Sequence, residues 1–255
     1  MSKLLKILLI LAIIAFSTSF FYIEKLPKKE TILDLSLKSP LQTPTDESKF
    51  KIQKEEYTAE IEPLYDYEIW GLVVEDYDSE NFFDFMHKND PFNIKDICVL
   101  WGDNVKEELY DNFEFKHGEF TCYFRTRDMV SYKKFNPEQL SNNHLIPASE
   151  EIYKAIKSTR IGDQVYLKGK LAKYTISNSE RVLSSRGTSV TREDRGNGAC
   201  ETIYVDKYEV VKEGNRAIRD IYEFSFYTII STIILLLILL FYDSHKALKP
   251  RTEEE

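Results

Sequence analysis

Cys200 and His144 are the residues of this sequence whose types could support nucleophilic catalysis. Cys200 stands at the end of a polar segment, beside Glu201, and His144 lies in the run LSNNHL. A histidine base can activate a cysteine for hydrolytic or thiol-redox chemistry, and nearby arginines would favour the thiolate. In that case we expect Asn142 or Asn143 to orient the imidazole. The alternatives are a buried or disulfide-bonded Cys200 and a hydrogen-bonded turn at Asn-Asn-His.

The segment from Ser177 to Glu201 has the composition of a binding loop. It contains few large apolar residues, although it lies between two strand-like segments. Arginine side chains and the backbone N–H groups of glycine turns can together hold a carboxylate, a phosphate or a sulfated group. The alternative is an ordinary long hairpin loop whose arginines pair with its own carboxylates. The residues predicted to contact a ligand or partner are Arg186, Thr188, Arg192, Arg195 and Asn197.

The chain has three cysteines, Cys98, Cys122 and Cys200. The first two lie in the strand-like runs DICVLW and FTCYF, so neighbouring strands could bring them within bonding range. We therefore predict a Cys98–Cys122 disulfide with Cys200 left over. A Cys122–Cys200 bond and three free thiols remain open.

Metal binding is not favoured by the sequence. There is no CxxC motif and no His/Cys pair at zinc spacing. His87 and His144 with Asp84 or Asp96 could supply ligands, but their order and spacing are not diagnostic. We predict no metal and no cofactor.

The elements that must position these residues are mostly strands. Val165, Leu167 and Leu171 alternate with polar residues, which is typical of a strand with one buried face. Trp70 and Trp101 lie in strand-like runs and are expected in the core. β-Branched and aromatic residues predict strands at 67–77, 93–101, 119–126, 161–174 and 202–211.

Two helices are predicted among these strands. Residues 149–158 have Ser149 as a capping residue and an apolar face, whereas the aromatic run 81–88 predicts a short helix. The segment GDQVYLKGKLAKY resembles a strand of the oligonucleotide/oligosaccharide-binding (OB) barrels. We predict a mainly β (α+β) fold, with a small OB-like antiparallel barrel and one or two helices. An open antiparallel sandwich is the alternative.

An apolar segment lies near each end of the chain. Residues 4–23 contain one charge, Lys6, and residues 224–242 contain none. Twenty helical residues span about 30 Å, the thickness of a bilayer core. The first segment also resembles a signal peptide, because a small-residue run follows its apolar part. We predict a transmembrane helix or signal peptide at 1–24, a linker at 25–50, an extracytoplasmic β-rich domain at 51–215, a transmembrane helix at 222–243 and a cytoplasmic tail at 244–255.

The charge pattern limits the partners and the compartment. The net charge is −8, and no basic tract is long enough to follow a phosphate backbone, so we predict no nucleic-acid binding. Basic residues at both extreme ends weakly favour a central domain outside the cytoplasm. We expect the inner (cytoplasmic) membrane with a periplasmic domain, a protein partner or homo-oligomer, and an anionic ligand as a further candidate.

Several runs in the central domain resemble a family of uncharacterised bacterial membrane-anchored proteins with an OB-like extracytoplasmic domain. The matching runs cover about a third of the chain and lie at 93–105, 140–148, 160–174, 186–189 and 196–205. The resemblance implies a shared fold and a shared site, and no named activity.

Two functions follow as hypotheses. The first is a membrane-tethered binding or interaction module, such as a subunit of an envelope complex or a ligand sensor. The second is an envelope enzyme that uses Cys200 and His144. We favour the first, because no signature of a cysteine enzyme is visible in the sequence.

Overall fold

The computed structural model describes residues 2–82, 84–85, 87–118, 121–194 and 199–248. The chain divides into two compact units, Leu26–Gly214 and a second unit made of its two terminal segments. The first is a mixed α+β unit dominated by one large sheet.

Ten strands are present in the described residues: β1 Leu41–Pro44, β2 Phe50–Lys54, β3 Tyr57–Asp78, β4 Lys95–Leu100, β5 Glu114–His117, β6 Cys122–Arg125, β7 Leu140–Pro147, β8 Gln164–Ser177, β9 Val182–Arg186 and β10 Glu201–Lys212. The helices are α1 Ser2–Phe20, α2 Asp103–Lys106, α3 Met129–Lys134, α4 Glu150–Ser158 and α5 Arg216–Leu248.

Five strands pair one after another, and the last of them pairs again with the first. β3 pairs with β4, β4 with β7, β7 with β10, β10 with β8, and β8 again with β3. Four of these pairings are antiparallel and β7–β10 is parallel, so the prediction of antiparallel pairing is wrong there. β1, β2 and β9 extend the sheet, and β5 and β6 form a separate hairpin.

The core lies on the inward faces of these strands. Val165, Leu167 and Leu171 are fully buried, as their alternation predicts. Trp101 is also buried, whereas Trp70 is half-buried and stacks on Tyr166 with ring centroids 4.6 Å apart. The prediction that Trp70 packs in the core is therefore wrong, because it points to the other face of β3.

Of the two helices predicted in this unit, one is confirmed. The hydroxyl oxygen of Ser149 accepts a hydrogen bond from the Ile152 N–H and caps α4. The described residues of 81–88 form turns instead of a helix. Their backbone is held by the Asp84 carboxylate, which accepts a hydrogen bond from the His87 N–H.

Two segments are more ordered than the sequence indicates. The prediction of a hydrogen-bonded turn at the Asn-Asn-His run is wrong, because these residues lie inside the buried strand β7. The predicted linker contains two 3-10 turns, Lys29–Thr31 and Asp34–Leu37, followed by β1. Ser36 is buried, and its carbonyl accepts a hydrogen bond from the Gly102 N–H, so this stretch packs as part of the large unit.

The second unit consists of α1 and α5. Lys3–Phe20 has a mean hydropathy of 2.0 and Arg216–His245 one of 2.5, so both are long and apolar enough to cross a membrane. The ring of Phe16 stacks on Tyr222 with centroids 4.6 Å apart. Ser225 is buried in this unit, in keeping with the role of small polar residues in close helix packing.

Candidate functional site

The pairing of β4, β7 and β10 brings together the residues that the sequence marks for chemistry. Asp96 on β4 lies directly opposite His144 on β7, and His144 pairs with Thr202 on β10. Directly opposite residues of two strands present their side chains on the same face of a sheet. Cys200 immediately precedes β10, and its carbonyl accepts a hydrogen bond from the Ser189 N–H. The described structure therefore places Cys200 beside His144.

His144 is held between a carboxylate and a thiol. Its Nδ1 lies 2.7 Å from Oδ1 of Asp96, and its side chain hydrogen-bonds to Cys200. Burial alone would lower the pKa of His144, but the charge and hydrogen bond of Asp96 raise it to about 9. His144 therefore carries a proton at neutral pH, and an imidazolium stabilises negative charge on an adjacent sulfur.

Asp96 is fully buried and binds several partners. Its Oδ1 also accepts a hydrogen bond from the Asn93 amide at 2.8 Å, and its Oδ2 lies 3.5 Å from Nε2 of His117. Burial would raise the pKa of Asp96, but His144 and His117 hold it below its ordinary value. Asp96 is therefore an ionised carboxylate that can fix the tautomer and orientation of His144.

Asn142 connects the second imidazole to the thiol. Its Oδ1 lies 2.9 Å from Nε2 of His117, and its amide nitrogen donates to Sγ of Cys200 at 3.5 Å. We predicted that Asn142 or Asn143 orients His144, but it is Asp96 that contacts the Nδ1 of this ring. The amide of Asn143 donates to the Ile97 carbonyl instead.

The arginines of the predicted binding loop are engaged within the fold. Nη2 of Arg186 lies 3.7 Å from Oδ2 of Asp90, and its Nη1 lies 3.4 Å from Nδ1 of His144. The Tyr174 hydroxyl donates to the same oxygen of Asp90, and burial raises the pKa of Tyr174 well above its ordinary value. Arg186 thus covers the buried polar cluster instead of extending into solvent.

Arg192 is inserted among aromatic side chains. Its guanidinium donates to Glu201 and, at 2.6 Å, to the Tyr67 hydroxyl. It also lies 5.4 Å from the ring centroid of Tyr67 and 5.2 Å from that of Trp101, both within cation–π range. Burial raises the pKa of Glu201 to about 7, against the opposing charge of Arg192. This pair of a half-buried arginine and a buried glutamate fastens the loop to the sheet.

The remaining predicted contact residues are Thr188, Arg195 and Asn197. Thr188 accepts a hydrogen bond from the Thr202 N–H at 2.9 Å, so it joins the loop to β10. Arg195 and Asn197 lie outside the described residues.

The sulfur atoms of Cys98 and Cys122 lie within disulfide-bonding distance, with their Cα atoms 6.0 Å apart, and Cys200 is a buried free thiol. Because Cys122 pairs with His117 in the β5–β6 hairpin, this bond holds His117 near Asp96.

A pocket of about 140 Å³ opens onto Cys200. The residues that line it belong to three places: the 121–124 segment, Pro137 with strand β7, and the segment that precedes and begins β10. They are Thr121, Cys122, Phe124, Pro137, Leu140, Asn142, Thr191, Arg192, Asp194, Ala199, Cys200 and Glu201.

The residues considered as metal ligands form two carboxylate–imidazole pairs. Nδ1 of His87 lies 2.6 Å from Oδ2 of Asp84, and His144 is bound to Asp96. Across the described part of the chain there is no group of three or more His, Cys, Asp or Glu side chains that could hold a metal ion.

A larger pocket of about 730 Å³ lies elsewhere in the same unit, beside β2 and the start of α4. Its lining combines aromatic residues such as Phe92, Tyr153 and Tyr204 with the polar residues Gln53 and Lys54. Mixed apolar and polar linings of this size are typical of ligand sites.

Comparison with known protein families, with curated proteins and with solved structures finds no match for this chain.

Proposed function

We propose that the chain is a membrane-tethered thiol enzyme of the bacterial inner membrane with its central domain outside the cytoplasm. The two long apolar helices support the tether. The Cys98–Cys122 pair supports the compartment, because disulfides persist in oxidising surroundings such as the periplasm.

The domain is proposed to be an OB-like barrel. The closed series of pairings β3–β4–β7–β10–β8–β3 supports this fold over an open sandwich, which would leave edge strands unpaired. The position of α4 between β7 and β8 is also compatible with it. In OB folds, the second and third strands and adjacent loops bind ligands. The corresponding strands here, β4 and β7, carry Asp96 and His144.

The observation that carries the proposal is the sequence of contacts from Asp96 to His144 to Cys200 beside a pocket. A nucleophile, a base and a group that orients the base are the parts of a covalent acyl-transfer site. The three residues come from two strands and a loop end that are far apart along the chain. We infer that Cys200 is the nucleophile, His144 is its acid–base partner, and Asp96 positions His144.

The proposed reaction begins when the Cys200 thiolate attacks the carbonyl carbon of an ester, amide or thioester. An S–C bond forms and the carbonyl π electrons move to oxygen, where the Asn142 amide can donate a hydrogen bond. The tetrahedral adduct then expels its leaving group, which takes the proton of His144. Neutral His144 deprotonates a water molecule that attacks the thioester and releases Cys200.

Thiol reactivity in the full-length protein, purified in detergent micelles, tests this assignment. We expect folded Cys200 to react with iodoacetamide at least tenfold faster than the same residue in urea, because His144 stabilises the thiolate. His144→Gln should remove the enhancement, and His245→Gln, at an exposed position, is the matched control. Peptide mapping without reduction should find Cys98 linked to Cys122. A disulfide at Cys200, or ordinary reactivity in the folded state, would contradict the thiol enzyme.

A binding or interaction module is the second candidate, and the 730 Å³ pocket is the observation that favours it. A protein partner or homo-oligomer is proposed to bind there, instead of at the paired arginines. A photo-cross-linking residue at Gln53, which lines the pocket, should then yield adducts in cells. The same residue at the exposed Glu180 should not. Equal yields at both positions would argue against this candidate.

A further inference from the structure

The two carboxylate oxygens of Glu201 differ in their hydrogen bonding. Oε1 accepts from Arg192, whereas the buried Oε2 has no hydrogen-bond partner on any other residue that the structure describes. The side chain is 3% exposed and lines the Cys200 pocket. A buried acceptor left without a donor is unfavourable, because it has lost its hydrogen bonds to water. The pocket therefore gains stability from any occupant that brings a donor to this oxygen.

The other polar groups around the pocket narrow the class of occupant. The guanidinium of Arg192 is directed to Glu201 and Tyr67. The carboxylate of Asp194 accepts from the Ser189 hydroxyl at 2.8 Å and adds negative charge to the lining. An amino group fits this setting better than a carboxylate or phosphate, which would face Oε2 with a second acceptor. With about 30 Å³ per water molecule, 140 Å³ accommodates only a small group.

We propose that Oε2 of Glu201 determines the specificity of the Cys200 pocket by accepting a hydrogen bond from a small amino group of the substrate. This inference rests on the proposed thiol site, since Cys200 supplies the reacting atom. It adds the substrate class: compounds with an N–H donor a few atoms from the electrophilic centre.

Two methanethiosulfonate reagents of nearly equal size test the proposal on the full-length protein in micelles. The aminoethyl reagent carries an N–H donor and the ethyl reagent carries none. At pH 8, where Glu201 is mostly ionised because its pKa is about 7, we measure the rate at which each reagent modifies Cys200 and divide it by the rate with unfolded protein. The normalised rate of the aminoethyl reagent should be at least ten times that of the ethyl reagent, which corresponds to about 1.4 kcal/mol. We call this ratio the amino preference.

Glu201→Gln should bring this preference close to one, because the Gln amide can keep the contact with Arg192 while presenting a donor to the pocket. Glu201→Asp keeps the charge but withdraws the oxygen by one methylene, and should lower the preference as well. Glu193→Gln is the matched control, since it removes an exposed carboxylate of the same segment that does not line the pocket, and it should leave the preference in place.

The outcomes separate this inference from the proposed function. A preference near one in the wild type, equal losses in Glu201→Gln and Glu193→Gln, or no reaction with either reagent would overturn the role of Glu201. A fast thiol without an amino preference would leave the enzyme proposal standing and remove only the substrate class. If Cys200 shows the amino preference but only ordinary reactivity, the role of Glu201 in the pocket would be supported and the proposed enzyme function would be contradicted.

Discussion

Asp96 and His144 face each other across β4 and β7, with Oδ1 of the carboxylate 2.7 Å from Nδ1 of the imidazole. Both side chains are almost entirely buried, so neither charge is tolerable without the other. The pair therefore decides the protonation state of His144 and, through it, the chemistry open to Cys200.

Replacing Asp96 with Asn should slow the alkylation of Cys200. Without the carboxylate, burial dominates and the pKa of His144 falls, so the imidazole loses its proton at neutral pH and stabilises the thiolate less. We expect a loss of about tenfold or more at pH 7. The measurement is a pH–rate profile for iodoacetamide in the full-length protein. Asp84→Asn, in the other carboxylate–imidazole pair, is the control, and an unchanged profile in Asp96→Asn would contradict the role of Asp96.

Stability should fall as the pH rises from about 6.5 to about 9. The pKa of His144 is raised to about 9 in the folded state, from 6.5 when unfolded, so its contribution is fully present below 6.5 and lost above 9. The loss is about 3 kcal/mol at most. Urea unfolding followed by Trp70 and Trp101 fluorescence measures it at several pH values. His144→Gln should flatten this part of the curve, and a wild-type curve that is already flat would refute the assignment.

Removing the Arg192 side chain should destabilise the large unit. Arg192→Ala leaves Glu201 buried without its cation and loses the contacts with Tyr67 and Trp101. Breaking one partner of a buried pair costs about 3–5 kcal/mol. Arg181→Ala, at an exposed position in the turn before β9, should be nearly neutral. Urea midpoints compare the two variants, and similar midpoints would show that Arg192 does not fasten the loop.

Gly169 should tolerate no side chain. It lies in β8 between Tyr67 of β3 and Val205 of β10, and a Cβ atom there would overlap the Tyr204 carbonyl. We expect Gly169→Ala to cost at least about 2 kcal/mol, since the obstacle is backbone. Gly187→Ala is the matched control, because nothing lies within 4 Å of the added carbon. Thermal unfolding should separate the two variants, and equal midpoints would mean that β8 can shift to make room.

Local patterns in the sequence were enough to predict several elements. The apolar runs mark α1 and α5, Ser149 marks the start of α4, and alternation marks β8. These features depend on neighbouring residues, so composition and period reveal them directly. The pairing of Cys98 with Cys122 was favoured because each lies in a strand-like run, although the sequence left other connectivities open.

Other features could not be predicted from neighbouring residues. The sequence does not predict β7, because Asn142, Asn143 and His144 are poor strand formers in isolation. Several of their polar groups find partners on segments distant along the chain, at Ile97, His117 and Cys200. Trp70 was misplaced because a one-residue change of register moves a side chain to the opposite face.

The sequence by itself determined that this chain has two apolar helices and a strand-rich central domain, and it marked Cys200 and His144 as a possible reactive pair. The tertiary structure alone decided that Asp96 joins them, that Arg186 and Arg192 turn inward, and that Glu201 lines the pocket of the thiol. The physical reason is strand register: the parallel pairing of β7 with β10 and the antiparallel pairing of β4 with β7 join residues 40 to 58 positions apart. No local property of the chain encodes which residues meet across such distances.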